Sequence, residues 1–196
     1  MPHSKTCTDV LIIGSGLAGM SLALSLPATL RITLLSKGRA DECASAWAQG
    51  GIAAVLDASD SLEAHVQDTL IAGAGLCDET AVRRILEQGP DAIAWLQQHG
   101  VPFSTQANGQ LHLTREGGHR ARRIVHATDR TGLAVHQRLL QACQRLGHIT
   151  LLQHCTAIEL LQDAQRRCVG ATVRNADGCH QRMLASHTVL ASGGMG

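Results

Sequence analysis

The chain has 196 residues, 44% of them hydrophobic, and a formal net charge of +1. That is enough apolar material for one packed domain or a little more, and too little charge to drive binding to nucleic acid or an anionic membrane. Its only aromatic residues, Trp47, Trp95 and Phe103, give no platform for stacking single-stranded bases.

The residues before the first apolar run are polar and lack the greasy stretch of a secretion signal, and no run approaches the roughly 18 apolar residues of a membrane span. The expected compartment is the cytoplasm. Seven cysteines, Cys7, Cys43, Cys77, Cys143, Cys155, Cys168 and Cys179, form no C-x-x-C and read as reduced thiols, buried or incidental. The eleven histidines include no H-x-x-x-H, so no metal site is expected.

Residues 10–13, Val-Leu-Ile-Ile, read as a strand buried on both faces. The strand runs into Gly14, Gly16 and Gly19, a G-x-G-x-x-G, and then into a helical pattern over 17–26. Strand, glycines and helix are the context that a dinucleotide fingerprint needs. Gly14 permits the tight turn, Gly16 lets the backbone approach a pyrophosphate, and Gly19 lets the helix pack on the strand. The phosphates then rest on unpaired N–H groups at the helix N-terminus. A glycine-rich turn with no ligand is the plainer alternative.

Residues 31–35 read as the second strand of a βαβ unit. An NAD-binding fold carries an Asp or Glu at the end of this strand, about 20 residues past the glycines, on the ribose 2′-OH. Here the strand leads into Ser36-Lys37-Gly38 with no carboxylate. That disfavours NAD. It leaves FAD, its ribose held by Ser36 or the backbone, or a 2′-phosphate held by Lys37.

Residues 38–48 read as a loop. Ala48-Gln49-Gly50-Gly51 then enters a short strand over 52–55; the glycine pair suits a planar ligand or a plain turn. Ser61 caps a helix over 62–72 that stops at Gly73. Asp78 caps a second over 79–88, with Val82, Ile85 and Leu86 turned inward. Gly89-Pro90 ends it, and Pro90 opens a third over 91–99, closed by Gly100, with Ile93, Leu96 and Trp95 as core. Strands over 101–105 and 110–113 flank the turn Asn108-Gly109. This helical and hairpin segment, about 56–114, reads as an insertion in an α/β frame.

Five arginines follow, Arg115, Arg120, Arg122, Arg123 and Arg130, with His119 and His126, opposed by Glu116 and Asp129. They read either as a solvated loop or as a receptor for a small anionic substrate, since arginine holds carboxylates in a bidentate fork. Glu116 would repel a simple acid. It suits a substrate that also carries an ammonium group, an amino acid with an extra carboxylate.

Thr131 caps a helix to about residue 146, with Leu139, Leu140, Cys143 and Leu146 on one face. Strands follow at 149–152, 157–161, 168–173, 182–184 and 188–191, with a hairpin turn at 175–178. This order predicts an α/β fold: a Rossmann-like FAD/NAD(P)-binding domain with a parallel sheet and an added antiparallel β-meander, laid on as a further layer. A last strand running into Gly-Gly-Met-Gly suggests the N-terminal piece of a longer chain.

Several of these motifs, taken together, resemble the L-aspartate oxidase family, within the flavoprotein group of succinate dehydrogenase and fumarate reductase. They are Gly14-x-Gly-x-x-Gly19, Ser36-Lys37-Gly38, Ala48-Gln-Gly-Gly-Ile-Ala-Ala54, Asp60-Ser61 with His65 and Asp68-Thr69, Arg115-Glu-Gly-Gly-His119 and Asp129-x-Thr-Gly132. The resemblance implies FAD and the oxidation of L-aspartate to iminoaspartate, with oxygen or fumarate as acceptor, the first step of NAD biosynthesis. It implies that Gly14, Ser15, Gly16, Leu17, Ala18 and Gly19 hold the pyrophosphate and that Lys37 lies by the adenosine ribose. Ala44, Ser45, Ala46, Trp47, Ala48, Gln49, Gly50 and Gly51 would wrap the flavin, and Thr156 and Ala157 would meet the adenine through the backbone. Glu116 would orient the substrate ammonium.

Respiratory members of the group attach FAD covalently through a His five residues before the Gln of A-Q-G-G. That position is Ala44 here, which implies non-covalent FAD. The resemblance also implies that 1–196 is the N-terminal part of the FAD-binding domain, without the substrate cap domain, and is inactive alone. A soluble fumarate reductase of the same group, or a non-catalytic dinucleotide-binding fragment, are the alternatives.

Overall fold

In chain order the elements are β1 (Thr6–Ile13), α1 (Leu17–Ser25), β2 (Ile32–Leu35), α2 (Ala44–Trp47), β3 (Ile52–Ala53), α3 (Leu62–Ala72), α4 (Glu79–Glu87), α5 (Gly89–Gln98), β4 (Leu113–Thr114), β5 (Ile124–Val125), α6 (Thr131–Arg145), β6 (Ile149–Leu152), β7 (Thr156–Gln162), β8 (Cys168–Arg174) and β9 (His180–Leu190). They come from a computed structural model that describes residues 6–127 and 130–194. Asp129, one of the two acids of the arginine-rich segment, lies outside the described residues. The chain divides into two units, Ala48–Val135 and the residues on either side of it.

The flanking unit is built on a six-stranded sheet in the order β6-β2-β1-β9-β8-β7. β6, β2, β1 and β9 run parallel, while β8 and β7 are antiparallel. All four residues of β2 are buried, as befits a parallel strand covered on both faces. Leu11, Leu35, Ala171, Val173, Met183 and Ala185 form one core cluster. Met20 and Ala23 of α1 and Leu139 and Cys143 of α6 are also buried. Burial pushes the Cys143 thiol up to about 11, so it stays protonated.

The two strands expected at 182–184 and 188–191 are a single eleven-residue strand, β9. Nothing between them breaks a strand: residues 185–187 are Ala-Ser-His, with no Gly or Pro. β9 pairs antiparallel with β8 from His180 to Leu184 and parallel with β1 from Met183 to Leu190. The meander is therefore joined edge to edge onto the parallel sheet and is not a separate layer.

The second unit carries α3, α4 and α5 and a small sheet in the order β3-β5-β4. The Ser61 hydroxyl accepts from the Ala64 N–H and the Asp78 carboxylate from the Ala81 N–H, so both expected caps form. α4 departs from expectation, since none of its residues is fully buried and Ile85 is 69% exposed. It packs mainly on α3, and its apolar stripe is only partly covered. Gln88 serves as C-cap of α4 and N-cap of α5, with Pro90 in the first turn of α5, where no N–H is missed. The hairpin around Gly109 shrinks to one bridge, Thr105 to Leu111. Leu113 and Thr114 pair instead with β5, a strand inside the arginine-rich segment. The loop expected over 38–48 contains the short helix α2. Among the described residues no helix is long and apolar enough to cross a membrane.

Candidate functional site

The turn from β1 into α1 shows what each glycine does. Gly14 has φ +121°, and a methyl group there would collide with the carbonyl oxygen of Ala191. The Gly14 N–H donates to the Leu35 carbonyl at 3.0 Å, carrying the β1–β2 ladder up to the turn. Gly19 would collide with the Gly14 carbonyl, so the helix rests directly on the turn. Gly16 differs. A methyl there would meet only Ser45 Oγ, at 3.5 Å.

Gly16 is also the N-cap of α1 and supplies no side chain to the helix amides. Ser45 Oγ accepts from the Leu17 N–H at 3.4 Å, a long bond. The first amides of a helix have no partner within it, and here a cradle that a side chain would have filled stands over them. A diphosphate fits that cradle. Ser15 is buried, Gly16 and Leu17 are half-buried, and Ala18 is exposed.

His136 of α6 is fully buried in this unit, and no motif marks it, since a single histidine on a helix face carries none. Neither ring nitrogen has a hydrogen-bond partner of good geometry. Burial pushes its pKa down, with the Ser15 backbone and the Asp41 charge acting in the opposite sense.

Lys37 and Thr156 are brought together. Both line a cleft of about 350 Å³ with His154, Arg174 and Asn175. Ala157 packs against the core cluster, so only its backbone can serve a ligand. Ser36 is buried, its hydroxyl 3.4 Å from the Arg39 carbonyl. In α2, Ala46 is buried while Ala44 and Trp47 are exposed, Trp47 by 75%.

In the second unit, Ala48, Gln49 and Gly50 are exposed. A methyl on Gly51 would collide with Ile124 Cγ2 and the Val125 carbonyl. The second glycine of the pair is thus required by packing under β5, and ligand approach is not needed to explain it. Gly50 is open, and a methyl there would stand 3.9 Å from Glu116 Oε2. Glu116 is exposed, and its carboxylate makes no ion pair among the described residues.

The reading of the arginines as a receptor for substrate acids is corrected for two of the five. Arg123 is fully buried. Its Nε and Nη2 donate to the two oxygens of Asp60, each at 2.7 Å, and its Nη1 donates to Asp68 at 2.8 Å. Arg120 gives Asp68 its backbone N–H at 3.0 Å and its Nε at 2.5 Å. These guanidinium groups are committed to carboxylates of the chain itself, and Arg115, Arg122 and Arg130 remain exposed.

Burial pushes the Asp68 carboxyl up, but hydrogen bonds from Arg120 and Arg123 outweigh it and hold it at about 2. His65 sits against His119 with ring centroids 5.5 Å apart, and burial lowers its pKa, helped by the nearby Arg123 charge. Arg123 Nη1 also lies 3.4 Å from His119 Nδ1. Arginine can only donate, so a neutral His119 keeps its proton on Nε2.

A parallel βαβ start, a glycine turn whose middle member opens a cradle at a helix N-terminus, and a strand end with no ribose carboxylate define a dinucleotide-binding flavoprotein domain. The comparisons agree. Residues 9–196 match the FAD binding domain family, and the chain belongs to that family; its cofactor is FAD.

The chain is 53% identical over 196 residues to L-aspartate oxidase 1 of Ralstonia nicotianae, covering 96% of this chain and 37% of that protein. It is 51% identical to the L-aspartate oxidase of Neisseria meningitidis, covering 98% and 38%. Among solved structures it matches an E. coli quinol fumarate reductase with a TM-score of 0.91 at 28% identity, over 98% of this chain and 34% of that one. The open conformation of a flavocytochrome c3 fumarate reductase matches with a TM-score of 0.86 at 25% identity, over 97% and 34%. The chain therefore spans little more than a third of the relatives it matches.

Proposed function

We propose that the complete protein oxidises L-aspartate to iminoaspartate as the first step of NAD biosynthesis. The observation that carries this reading is the free Glu116 carboxylate, poised opposite the bare Gly50. Its chemistry suits an ammonium group and nothing in succinate or fumarate. The likeness to L-aspartate oxidases supports the choice of substrate.

In this reading the amides at Gly16, Leu17 and Ala18, with Gly14, Ser15 and Gly19 shaping the turn, receive the FAD diphosphate. Lys37, Thr156 and the Ala157 backbone take the adenosine end. Ala44 to Gly51 would serve the flavin, and Ala44, which offers no nucleophile, suits a cofactor held without a covalent bond. When bound, FAD supplies the acceptor for the hydride that leaves the aspartate Cα. The nitrogen gives up a proton as the C=N bond forms. Oxygen then takes the electrons to give hydrogen peroxide, or fumarate takes them to give succinate. Glu116 holds the substrate nitrogen so that Cα–H points at its acceptor. A cytoplasmic setting goes with this reading, since the cysteines are unpaired among the described residues.

The second reading is a soluble fumarate reductase, favoured by the structural likeness. Aspartate-dependent peroxide release, set against dye-driven fumarate reduction in the complete protein, separates the two. Glu116→Gln should raise the KM for aspartate about tenfold or more while fumarate reduction is largely kept. Equal loss of both activities defeats the role given to Glu116, and a flavin-free protein defeats both readings.

A further inference from the structure

Asp60 and Asp68 bracket the first two turns of α3, Asp60 beside the Ser61 cap and Asp68 on the helix itself. Between them they take up Arg120 and the buried Arg123. These arginines stand at two ends of a short chain segment. Arg120 directly follows a turn that starts at Glu116, closed by the His119 N–H on the Glu116 carbonyl at 3.2 Å, with Gly118 at φ +81°. Arg123 directly precedes β5, whose Ile124 and Val125 pack on Gly51. The Ala54 N–H, just after β3, donates to the Arg123 carbonyl at 3.0 Å.

One helix thus fixes both the turn that presents Glu116 and the strand that seats the Gly50-Gly51 pair opposite it. The grip on Arg120 is two-pronged, backbone and side chain to one carboxylate, so it constrains the path of the chain and not merely a side chain. The Arg120 side chain is itself 55% exposed. A surface arginine with a buried partner and a backbone bond to the same group is an anchor for the turn beside it.

We infer that Asp68, acting through Arg120, is a positioning residue that sets where Glu116 stands against Gly50 and so sets selection for a substrate bearing an amine. The inference rests on the reading of Glu116 as the ammonium's partner. If Asp68 let go, the turn at 116–119 would keep its residues but lose its fixed end. The carboxylate would then sample positions from which it meets the ammonium only part of the time. The turn around Gly16 belongs to the other unit.

The test compares the complete protein with Asp68→Asn, Arg120→Gln and the control Arg84→Gln, which removes an exposed charge on α4 without touching Asp68. Each is assayed for aspartate oxidation and for fumarate reduction, with flavin content measured alongside. The expected result is a rise of about tenfold in the KM for aspartate relative to that for fumarate in both anchor variants. That corresponds to about 1.4 kcal/mol. Arg84→Gln should move neither KM.

Should Asp68→Asn fail to fold, Arg120→Gln, altered at an exposed side chain, carries the test by itself. An unchanged ratio of the two KM values in a flavin-loaded Arg120→Gln protein overturns the inference. Glu116→Gln, run in parallel, tells the two failures apart. If it is selective for aspartate while Arg120→Gln is not, only the anchor is refuted. If Glu116→Gln shows no selectivity, the reading of Glu116 falls first.

Discussion

Asp60 receives both prongs of the Arg123 guanidinium, Nε and Nη2 each at 2.7 Å, with Arg123 fully shut off from water and the Asp60 side chain 2% exposed. Asp68 completes the set from α3. Breaking a buried ion pair by removing one member leaves the other charged and desolvated, at a cost of about 3–5 kcal/mol. Arg123→Met should lower stability by about that much, because two carboxylates lose their partner. Arg123→Lys keeps the charge but not the planar fork and should cost about 1–3 kcal/mol. Urea unfolding of the two variants checks the order. A methionine variant as stable as the parent would show that the network does not hold the fold.

The same network predicts how acid acts. The Asp68 carboxyl is held at about 2 against an ordinary 3.8, since the hydrogen bonds from Arg120 and Arg123 overcome the upward push of burial. A depressed folded-state value stabilises the fold fully above the unfolded-state value, and the contribution is lost as the pH falls toward the folded one. The window is therefore from about pH 4 down to about pH 2, and the amount is on the order of 2 kcal/mol. Denaturant midpoints measured from pH 5 to pH 2.5 should fall across that range. In Asp68→Asn the fall should be shallower, from a lower starting stability. A profile of the same steepness in the variant would assign the acid sensitivity to other carboxylates.

What the sequence disclosed and what it hid divide along physical lines. Local signals were legible: the glycine turn, the Ser61 and Asp78 caps, and the Asn175–Gly178 hairpin, where the Gly178 φ is +79°. Each depends on residues within a few positions of one another. Tertiary commitments were not legible. Arg123 and Arg122 are neighbours of the same type, yet one is fully buried and the other exposed. Only the placement of α3, some 55 residues earlier, decides between them. Gly50 and Gly51 likewise look alike in sequence, and only β5, lying across Gly51, tells them apart. β5 itself is two residues long and enclosed by charge, too short for any alternation to show. The exposure of Ile85 follows from the lack of a full partner for α4, which its own sequence cannot reveal.

Two glycines of the fingerprint should respond differently to the same substitution. Gly14→Ala puts a side chain at φ +121° and against the Ala191 carbonyl, so the turn itself must move. A loss of about 2 kcal/mol or more, seen as a lower Tm and lower yield of folded protein, is expected. Gly16→Ala meets only Ser45 Oγ at 3.5 Å. It should leave the Tm of the flavin-free protein within a few degrees, a change of less than about 1 kcal/mol. Its methyl occupies the cradle, however, and FAD affinity should fall by about tenfold or more. Fluorescence titration with FAD, with thermal unfolding of the apo forms alongside, measures both. If Gly16→Ala bound FAD as well as the parent, the diphosphate could not lie where the open N-terminus of α1 places it.

Ala44 opens α2, five residues before Gln49, and its side chain is exposed. A methyl group cannot bond to the flavin ring, so the proposal of a non-covalent cofactor predicts retention by the sum of its contacts along the chain. Unfolding destroys all of these at once, whereas a covalent link would survive it. Acid precipitation of the yellow protein should therefore leave essentially all flavin absorbance in the supernatant, and a denaturing gel should show no fluorescent band at the mass of the chain. Flavin retained in the washed pellet would point to another attachment residue, and the exposed nucleophiles nearest in sequence would then have to be mapped by peptide mass. Adding salt to the native protein gives a graded version of the same measurement. If amides at the N-terminus of α1 carry much of the hold on a doubly charged diphosphate, FAD release should rise with ionic strength, and in Lys37→Gln it should do so less steeply, from a weaker starting affinity, only if that ammonium also faces the phosphates and not the ribose alone.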